Sequence, residues 1–388
     1  MTQQTHEWKE STSSFSPAID ALAFITRHRL VDPGRYRYAT DCPASTLYSS
    51  CYAAMARHLL GDLIPEHERT AWIDYLNLHQ DDDGLFRDPV IFDQGWYAGD
   101  PLWCGRPHLT CHVITALACL GGVAEKPLRW LDPWRDPDAL IRWLEARDWG
   151  TQVAWTGNEI MNVGVLLQYA RDFHHDTRAG YAVAVMLGWL STHHVNAGTG
   201  VWGELDVTDP IGRSHAVQAA YHWWLLFFYD GIPIPHLERA IDTVLATQNP
   251  LGSFGWGVHN AATPFMSSAC EDIDSIDPLC RMMPMTTYRR HEIQAVLRKA
   301  AAWVMTNQMP DGGFVFMRDV PFEYGHPELR GAVGHGAMFP TWFRLLSLVL
   351  IGNALPEHPL GRIPWQFVRC PGMQFWQRER TTCAPSSI

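Results

Sequence analysis

Strand-type alternation is nearly absent from this chain. Runs that place Val, Ile or aromatic residues at every second position between turn residues are missing, which excludes a sheet-based architecture. Charge is scarce as well: 18% of the 388 residues are Asp, Glu, Lys or Arg, and they sum to −11. With no basic stripe, nucleic-acid binding and electrostatic attachment to anionic lipid are excluded. No apolar run reaches the roughly 18–20 residues of a membrane span. The nearest, "WFRLLSLVLIGNAL", is too short and contains Arg344. The opening "MTQQTHEWKESTSSF" lacks the basic-then-apolar layout of an export signal, so a cytoplasmic protein is expected. The nine cysteines are scattered and form no CxxC pair, which reads as buried free thiols. Phosphate loop, nucleophile elbow and dinucleotide fingerprint are all lacking.

What is present is apolar bulk: 47% of residues are hydrophobic, with 18 Trp among them. It is arranged at helical spacing between Gly-, Pro- and Asp-rich loops. One class of segment is amphipathic and belongs outside: 17–30, 66–80, 136–148, 177–195, 235–249 and 289–308. The other opens on polar residues and then becomes almost wholly apolar: 45–60, 108–121, 157–171, 214–230, 270–283 and 334–352. A helix apolar on all sides is a buried one. The two classes alternate with a period of about 50–60 residues, the mark of a helical-hairpin array. Six hairpins can close into a ring that leaves no apolar face at an end. The expected fold is therefore all-α, a single (α/α)6 toroid over 17–353, with a polar N-terminal tail over 1–16. A C-terminal extension over 354–388 is expected on or near the toroid, or reaching a partner. The polar tips of the six inner helices should converge on one mouth.

The stretch "SSACEDIDSIDPL" places four carboxylates, Glu271, Asp272, Asp274 and Asp277, within the fifth inner segment. Capping explains part of this: Asp277 before Pro278 reads as an N-cap and first-turn pair, and acids favour a helix N-terminus. Capping does not require all four. Neighbouring carboxylates in a buried ring keep one of their number protonated, which makes a strong neutral acid.

Two features carry a family resemblance. After outer segments come "HQDDDGLF", "TQNPLGSFGW" and "NQMPDGGF", each with Gln, then Gly and an aromatic; "HVNAGTGVWG" is a copy without the Gln. These turns resemble the repeat motif of the prenyltransferase and squalene-cyclase superfamily of α/α toroids. Locally, Gln can bond loop amides, Gly permits the tight turn and the aromatic packs between hairpins. "DIDS", residues 272–275, looks like the acid motif of class II terpene cyclases. The resemblance implies that Asp274 is the Brønsted acid that protonates an alkene or epoxide, with Asp272 as its partner. It also implies a small-molecule isoprenoid substrate and no cofactor. Position 275 is Ser where the commonest form of the motif has Asp. Aromatic faces would stabilise the carbocation; those placed at the mouth or upper wall are Tyr48, Tyr52, Trp155, Trp223, Trp256 and Phe339.

The other inner segments open with His108, Thr110 and His112; with Asn158, Glu159 and Asn162; with Ser214, His215 and Gln218; and with His335. Any single histidine here has an alternative as a hydrogen-bonded core residue, and His58 and His222, deeper in their helices, are expected to be structural. So polar a ring also suits a carbohydrate-active (α/α)6 enzyme, a hydrolase, lyase or epimerase, in which Glu159 pairs with Asp272 or Asp274. A non-catalytic toroid that binds a peptide or partner is a third reading. Cys104, His108 and His112, four residues apart, admit a metal reading. The zinc patterns of protein prenyltransferases and lanthipeptide cyclases, and the thioester motif of complement-type toroids, are absent.

Overall fold

The structure is a computed structural model that describes residues 16–376. The N-terminal tail expected over 1–16 lies outside these residues but for its last, as does the end of the C-terminal extension. Twelve α-helices alternate between two layers among the described residues. The outer ones are α1 (Ser16–Arg27), α3 (Glu66–Asn77), α5 (Pro137–Glu145), α7 (Thr177–Leu190), α9 (Leu237–Leu245) and α11 (Arg290–Met305). The inner ones are α2 (Leu47–Leu59), α4 (Arg106–Leu120), α6 (Val153–Phe173), α8 (Pro210–Asp230), α10 (Ala269–Met282) and α12 (Met338–Ala354). Each inner helix packs on the next, and α12 packs back on α2, so the ring closes. The fold is an (α/α)6 toroid, as the alternation of segment types predicts. Inner helices are buried almost throughout; every residue of α12 from Met338 to Gly352 is buried. A short hairpin, β1 (Phe322–Glu323) against β2 (Arg330–Gly331), projects over the mouth. No helix of the described residues is long and apolar enough to cross a membrane.

Three inner helices start elsewhere than the apolar pattern indicates. Asp209 caps α8 by accepting from the Gly212 amide, with Pro210 in the first turn, so the helix begins four residues early. α6 likewise begins at Val153. In the sixth hairpin, Gly334 has φ +74° and Gly336 is pressed against Gly313, so 334–337 is loop. His335 therefore stands before α12 and outside the ring.

The Gln turns carry the hairpin-to-hairpin connection. Each Gln forms an antiparallel bridge with its Phe: Gln80 with Phe86, Gln248 with Phe254, Gln308 with Phe314. Its Nε2 donates to a carbonyl in its own turn and to one in the next hairpin. Gln80 reaches Gly84 O and Lys126 O (both 2.8 Å), Gln248 reaches Gly252 O (3.2 Å) and Val296 O (3.1 Å), and Gln308 reaches Gly312 O (2.8 Å) and Pro17 O (2.9 Å). The partners are carbonyls rather than the amides expected, with one exception: Lys126 N donates to Gln80 Oε1. The Gln308 bond joins the last hairpin to α1 and is a clasp of the closed ring. Gly312, at φ +87°, lies so close to Asp20 that a Cβ would strike its carbonyl. The copy without Gln bridges Val195 to Trp202 and draws its next hairpin in through Thr243, which donates to Thr199 O (2.6 Å). The three Phe amides donate to the first turns of the following inner helices: Phe86 to Thr110, Phe314 to Thr341, and Phe254 to Asp272.

The C-terminal extension enters the ring from the end opposite the mouth. Cys370 Sγ contacts Ile114 O of α4 at 3.7 Å; Gln374 donates to Met55 O of α2 (3.1 Å) and accepts from the Trp342 indole of α12 (2.6 Å). Arg281 of α10 donates to Phe375 O (2.7 Å), and Tyr229 of α8 meets the Phe375 ring edge-on at 5.3 Å. Five of the six inner helices thus hold this segment, which fills the lower lumen as a plug.

Replacing Gln308 with Leu should leave the Gly312 carbonyl without its donor and cut the link to α1 at Pro17. It should lower unfolding free energy by about 1–3 kcal/mol, read as a shift in the urea midpoint at unchanged m. Gly312→Ala should be no milder, because it adds strain at the same clasp.

Candidate active site

The mouth is roofed by two loops. Trp96 N donates to Gly325 O (3.1 Å) and the Tyr97 hydroxyl to Tyr324 O (2.7 Å), tying the loop before α4 to the loop that carries the hairpin. Beneath them one side of the lumen is aromatic. Tyr48 and Tyr52 of α2 stack at 5.7 Å, Tyr52 stacks on Trp342 at 5.3 Å, and Phe339 lies 5.2 Å from Tyr52 and 4.7 Å from Tyr324.

The other side is polar. On α8, His215, Gln218 and His222 form one stripe, opposite the face where Trp223 and Trp224 pack on Trp202. On α4, His108 and His112 form the matching stripe. The Tyr48 hydroxyl lies 2.7 Å from His108 Nδ1. Burial, and then the imidazoles of His112 and His222, push His108 well below the usual histidine range. Burial pushes His112 and His222 each down to about 4, so both are neutral at pH 7. Their Nδ1 atoms lie 2.9 Å from His108 O and 2.7 Å from Gln218 O. A carbonyl only accepts, so Nδ1 carries the proton and Nε2 is bare. Asn158 Oδ1 and Gln218 Oε1 are buried and have no hydrogen-bond partner.

The four carboxylates have four different environments. Ser268, not Asp277, caps α10: its hydroxyl accepts from Glu271 N (3.1 Å), and Ser268 N donates back to Glu271 Oε2 (3.0 Å). This reciprocal box, with Val258 N on Oε1, fixes Glu271. Burial pushes the Glu271 carboxyl up, but His259 and the two amides outweigh it and hold the group below its usual range.

Asp277 is mid-helix and fully buried, in an ion pair with Arg281. Burial pushes it up and Arg281 pulls it back. It belongs to the plug's anchorage, and Pro278 lies inside the helix. The expected Asp277–Pro278 cap is therefore overturned. So is the placing of all four acids at the mouth: two residues apart on a helix means nearly opposite faces.

Asp272 faces outward from the lumen. Its oxygens accept from Phe254 N (3.1 Å), the Trp303 indole (2.9 Å) and Arg344 (2.8 Å). Burial pushes its carboxyl up; Arg344 and the Phe254 amide pull it back. With both oxygens taken by donors it is a carboxylate. Arg344, fully buried, also donates to the carbonyls of Val315, Ser267 and Phe316. Asp272 is thus a structural counter-ion and not a hydrogen-bonded partner of Asp274.

Asp274 alone is free. It is 4% exposed, and its Oδ2 is buried without a hydrogen-bond partner. Burial, and then the charges of Glu271, Asp272 and Asp277, push its carboxyl well above the usual range. Pro278 removes the amide that would donate to the Asp274 carbonyl in a regular helix. Ser275 turns away to Thr247, 3.1 Å between hydroxyls. The group is a neutral carboxylic acid buried from solvent.

Several expected site residues lie elsewhere. Asn162 is a clip for the loop before α4, donating to Leu102 O (2.9 Å) and Trp103 O (3.3 Å). Glu159 is tied to Arg147 at 2.8 Å. His335 is exposed, 3.9 Å from Asp311. It borders a surface depression of about 520 Å³ with Asp41, Glu323 and Arg330. Trp223 packs between layers on Trp149 and Trp202. Trp155, 41% exposed, is on the rim with Trp103, and Trp256 packs on Phe265 in the α9–α10 loop. His222, expected to be structural, joins the lumen stripe; its spacing from His215 and Gln218 was the signal. Arg344 also escaped notice as a site residue, although a lone charge in an apolar helix demands a partner. Among the described residues no three His, Cys, Asp or Glu side chains group to hold a metal; Cys104 Sγ contacts Trp96 O at 3.2 Å.

No protein-family model matches the chain, and no curated protein matches it in sequence. Solved structures match its fold. A glycosidase variant in complex with glucose is 13% identical, with 92% of this chain and 99% of that chain covered and a TM-score of 0.52. The unsaturated glucuronyl hydrolase of Bacillus sp. GL1 is 13% identical, with 88% and 96% covered and a TM-score of 0.50. The type II terpene cyclase MstE of Scytonema is 14% identical, with 92% and 100% covered and a TM-score of 0.49. At these identities what is shared is the toroid fold alone.

Opposite stability effects are expected from the two aspartates of "DID". Asp272→Asn leaves Arg344 buried without its counter-ion and should cost about 3–5 kcal/mol. Asp274 has a folded pKa above its unfolded one. Its contribution to stability is therefore present below about pH 3.9 and lost as pH rises through the folded value. Asp274→Asn should match wild type in acid and exceed it increasingly toward neutral pH. Thermal melts of both variants across pH check this.

Proposed function

We propose that the protein is a terpene-cyclase-like isomerase or lyase that starts reaction by proton transfer from Asp274 to an unsaturated isoprenoid. The observation that carries this reading is the single, buried, neutral acid with an unpartnered oxygen, set across the lumen from stacked aromatic rings. Proton transfer to an alkene forms a C–H bond from the π pair and leaves a cation on the neighbouring carbon. Such a step needs an acid with no competing hydrogen bonds and a dry site. The faces of Tyr48, Tyr52, Phe339 and Trp342 can then stabilise the cation. Loss of an adjacent proton restores a double bond, and the bare Nε2 atoms of His112 and His222 are bases in the same lumen. The net change is isomerisation, with or without ring formation.

Glycosidic chemistry by paired carboxylates needs a second free carboxylate facing the acid across the substrate. Glu159, Glu271, Asp272 and Asp277 are each bound to a cation or held in a cap, which weighs against that reading. The test is incubation with polyprenyl substrates and analysis of the hydrocarbon products. Asp274→Asn should lower turnover by at least about 10²-fold with the fold retained; undiminished turnover would remove Asp274 from the mechanism. Because the acid form is the active one, and burial raises its pKa, activity should persist at neutral pH. It should fall as pH rises through the raised value.

A further inference from the structure

We infer that the lumen takes an uncharged, hydroxyl-bearing isoprenoid, and that diphosphate and carboxylate substrates are rejected. The substrate's hydrocarbon lies against α2 and α12, and its hydroxyl end against α4, α6 and α8. The isoprenoid part rests on the proposed function; the neutrality and the hydroxyl rest on the lumen wall alone.

The first ground is the set of polar atoms left without partners. Asn158 Oδ1 and Gln218 Oε1 are buried and unbonded. The Nε2 atoms of His112 and His222, unprotonated because Nδ1 faces a carbonyl, are further acceptors. Leaving such groups unpaired costs about 1–3 kcal/mol each, so a ligand that pairs them gains accordingly. Imidazole nitrogens of this tautomer only accept, and amides are neutral. The match is a ligand with O–H donors and no net charge.

The second ground is the fate of the cations. Each inner helix carries one arginine and no lysine: Arg57, Arg106, Arg171, Arg213, Arg281 and Arg344. Five of them pair with carboxylates. Arg57 holds Asp62, Arg106 holds Asp81, Asp83 and Asp100, and Arg171 holds Asp172 and Asp230. Arg281 pairs with Asp277 and Arg344 with Asp272; Arg213 donates to Val207 O and has a buried Nε without a partner, but it stands on the face of α8 turned from His215, Gln218 and His222.

Helix N-termini, which would favour an anion, are largely taken too. Thr46, Asp209 and Ser268 cap α2, α8 and α10, and Asp100 accepts from Arg106 N at the start of α4. At the rim, Arg330 shares its depression with Asp41 and Glu323. Among the described residues no inner-helix arginine on the face of His215, Gln218 and His222 is free to meet a diphosphate, which would lie near the carboxylates of Glu271 and Asp272, and burying it unpaired is prohibitive.

The test is binding by quenching of tryptophan fluorescence, with the full chain and its Asp274→Asn variant, so that affinity is read apart from turnover. Geranylgeraniol should bind at least tenfold tighter than geranylgeranyl diphosphate. Asn158→Leu and Gln218→Leu, made separately, should each weaken geranylgeraniol about tenfold while leaving squalene binding unchanged. Equal or tighter binding of the diphosphate overturns the inference, whichever variants fold. So does tight binding of cellobiose with none of geranylgeraniol. The alcohol bound in this order but never converted would sink the proposed function and uphold the inference. Turnover of the diphosphate would do the reverse.

Discussion

The buried ion pair of Asp272 and Arg344 is the contact on which the rest of the structure depends. Its two side chains gather the start of α10, the indole of α11, the turn after α9 and the chain leading into α12. In other hairpins a threonine hydroxyl receives the turn's aromatic amide; here a carboxylate does, and so a cation must be buried with it. The exchange of hydroxyl for carboxylate puts fixed negative charge one helical face away from Asp274. The mutual compensation of the pair lets that charge exist in a dry interior at all.

Asp274 then follows. It has no cation of its own, sits among groups whose charges are already committed, and so keeps its proton. Structural and chemical roles are divided between two aspartates separated by one isoleucine, because a helix turns them to opposite sides. The aromatic and polar walls of the lumen repeat the division on a larger scale. α2 and α12 offer rings, while α4, α6 and α8 offer nitrogen and oxygen.

The toroid was legible because burial on all sides, repeated in alternation with amphipathy, admits few other architectures. The Gln turns were legible as punctuation but not as clasps, since their partners lie in the next hairpin, 46–48 residues on, or across the closure of the chain at Pro17. Asp274 could be singled out from its motif. The pairing with Asp272 was misread because a motif written as letters hides the 100° turn per residue. Glu159, Asn162 and His335 stood at helix beginnings, where polarity serves loops as readily as ligands. Asp277 could not be assigned to the plug, because nothing local to residues 270–283 announces a segment that arrives from residues 370–376.

That plug has a consequence for assembly. All twelve helices precede it in the chain, so a nascent polypeptide can close its ring while the bottom of the lumen still admits water. Cys370–Phe375 then closes that end and takes up Arg281, the partner of Asp277. Closure of the lower end is thus the task of a stretch that belongs to none of the repeats.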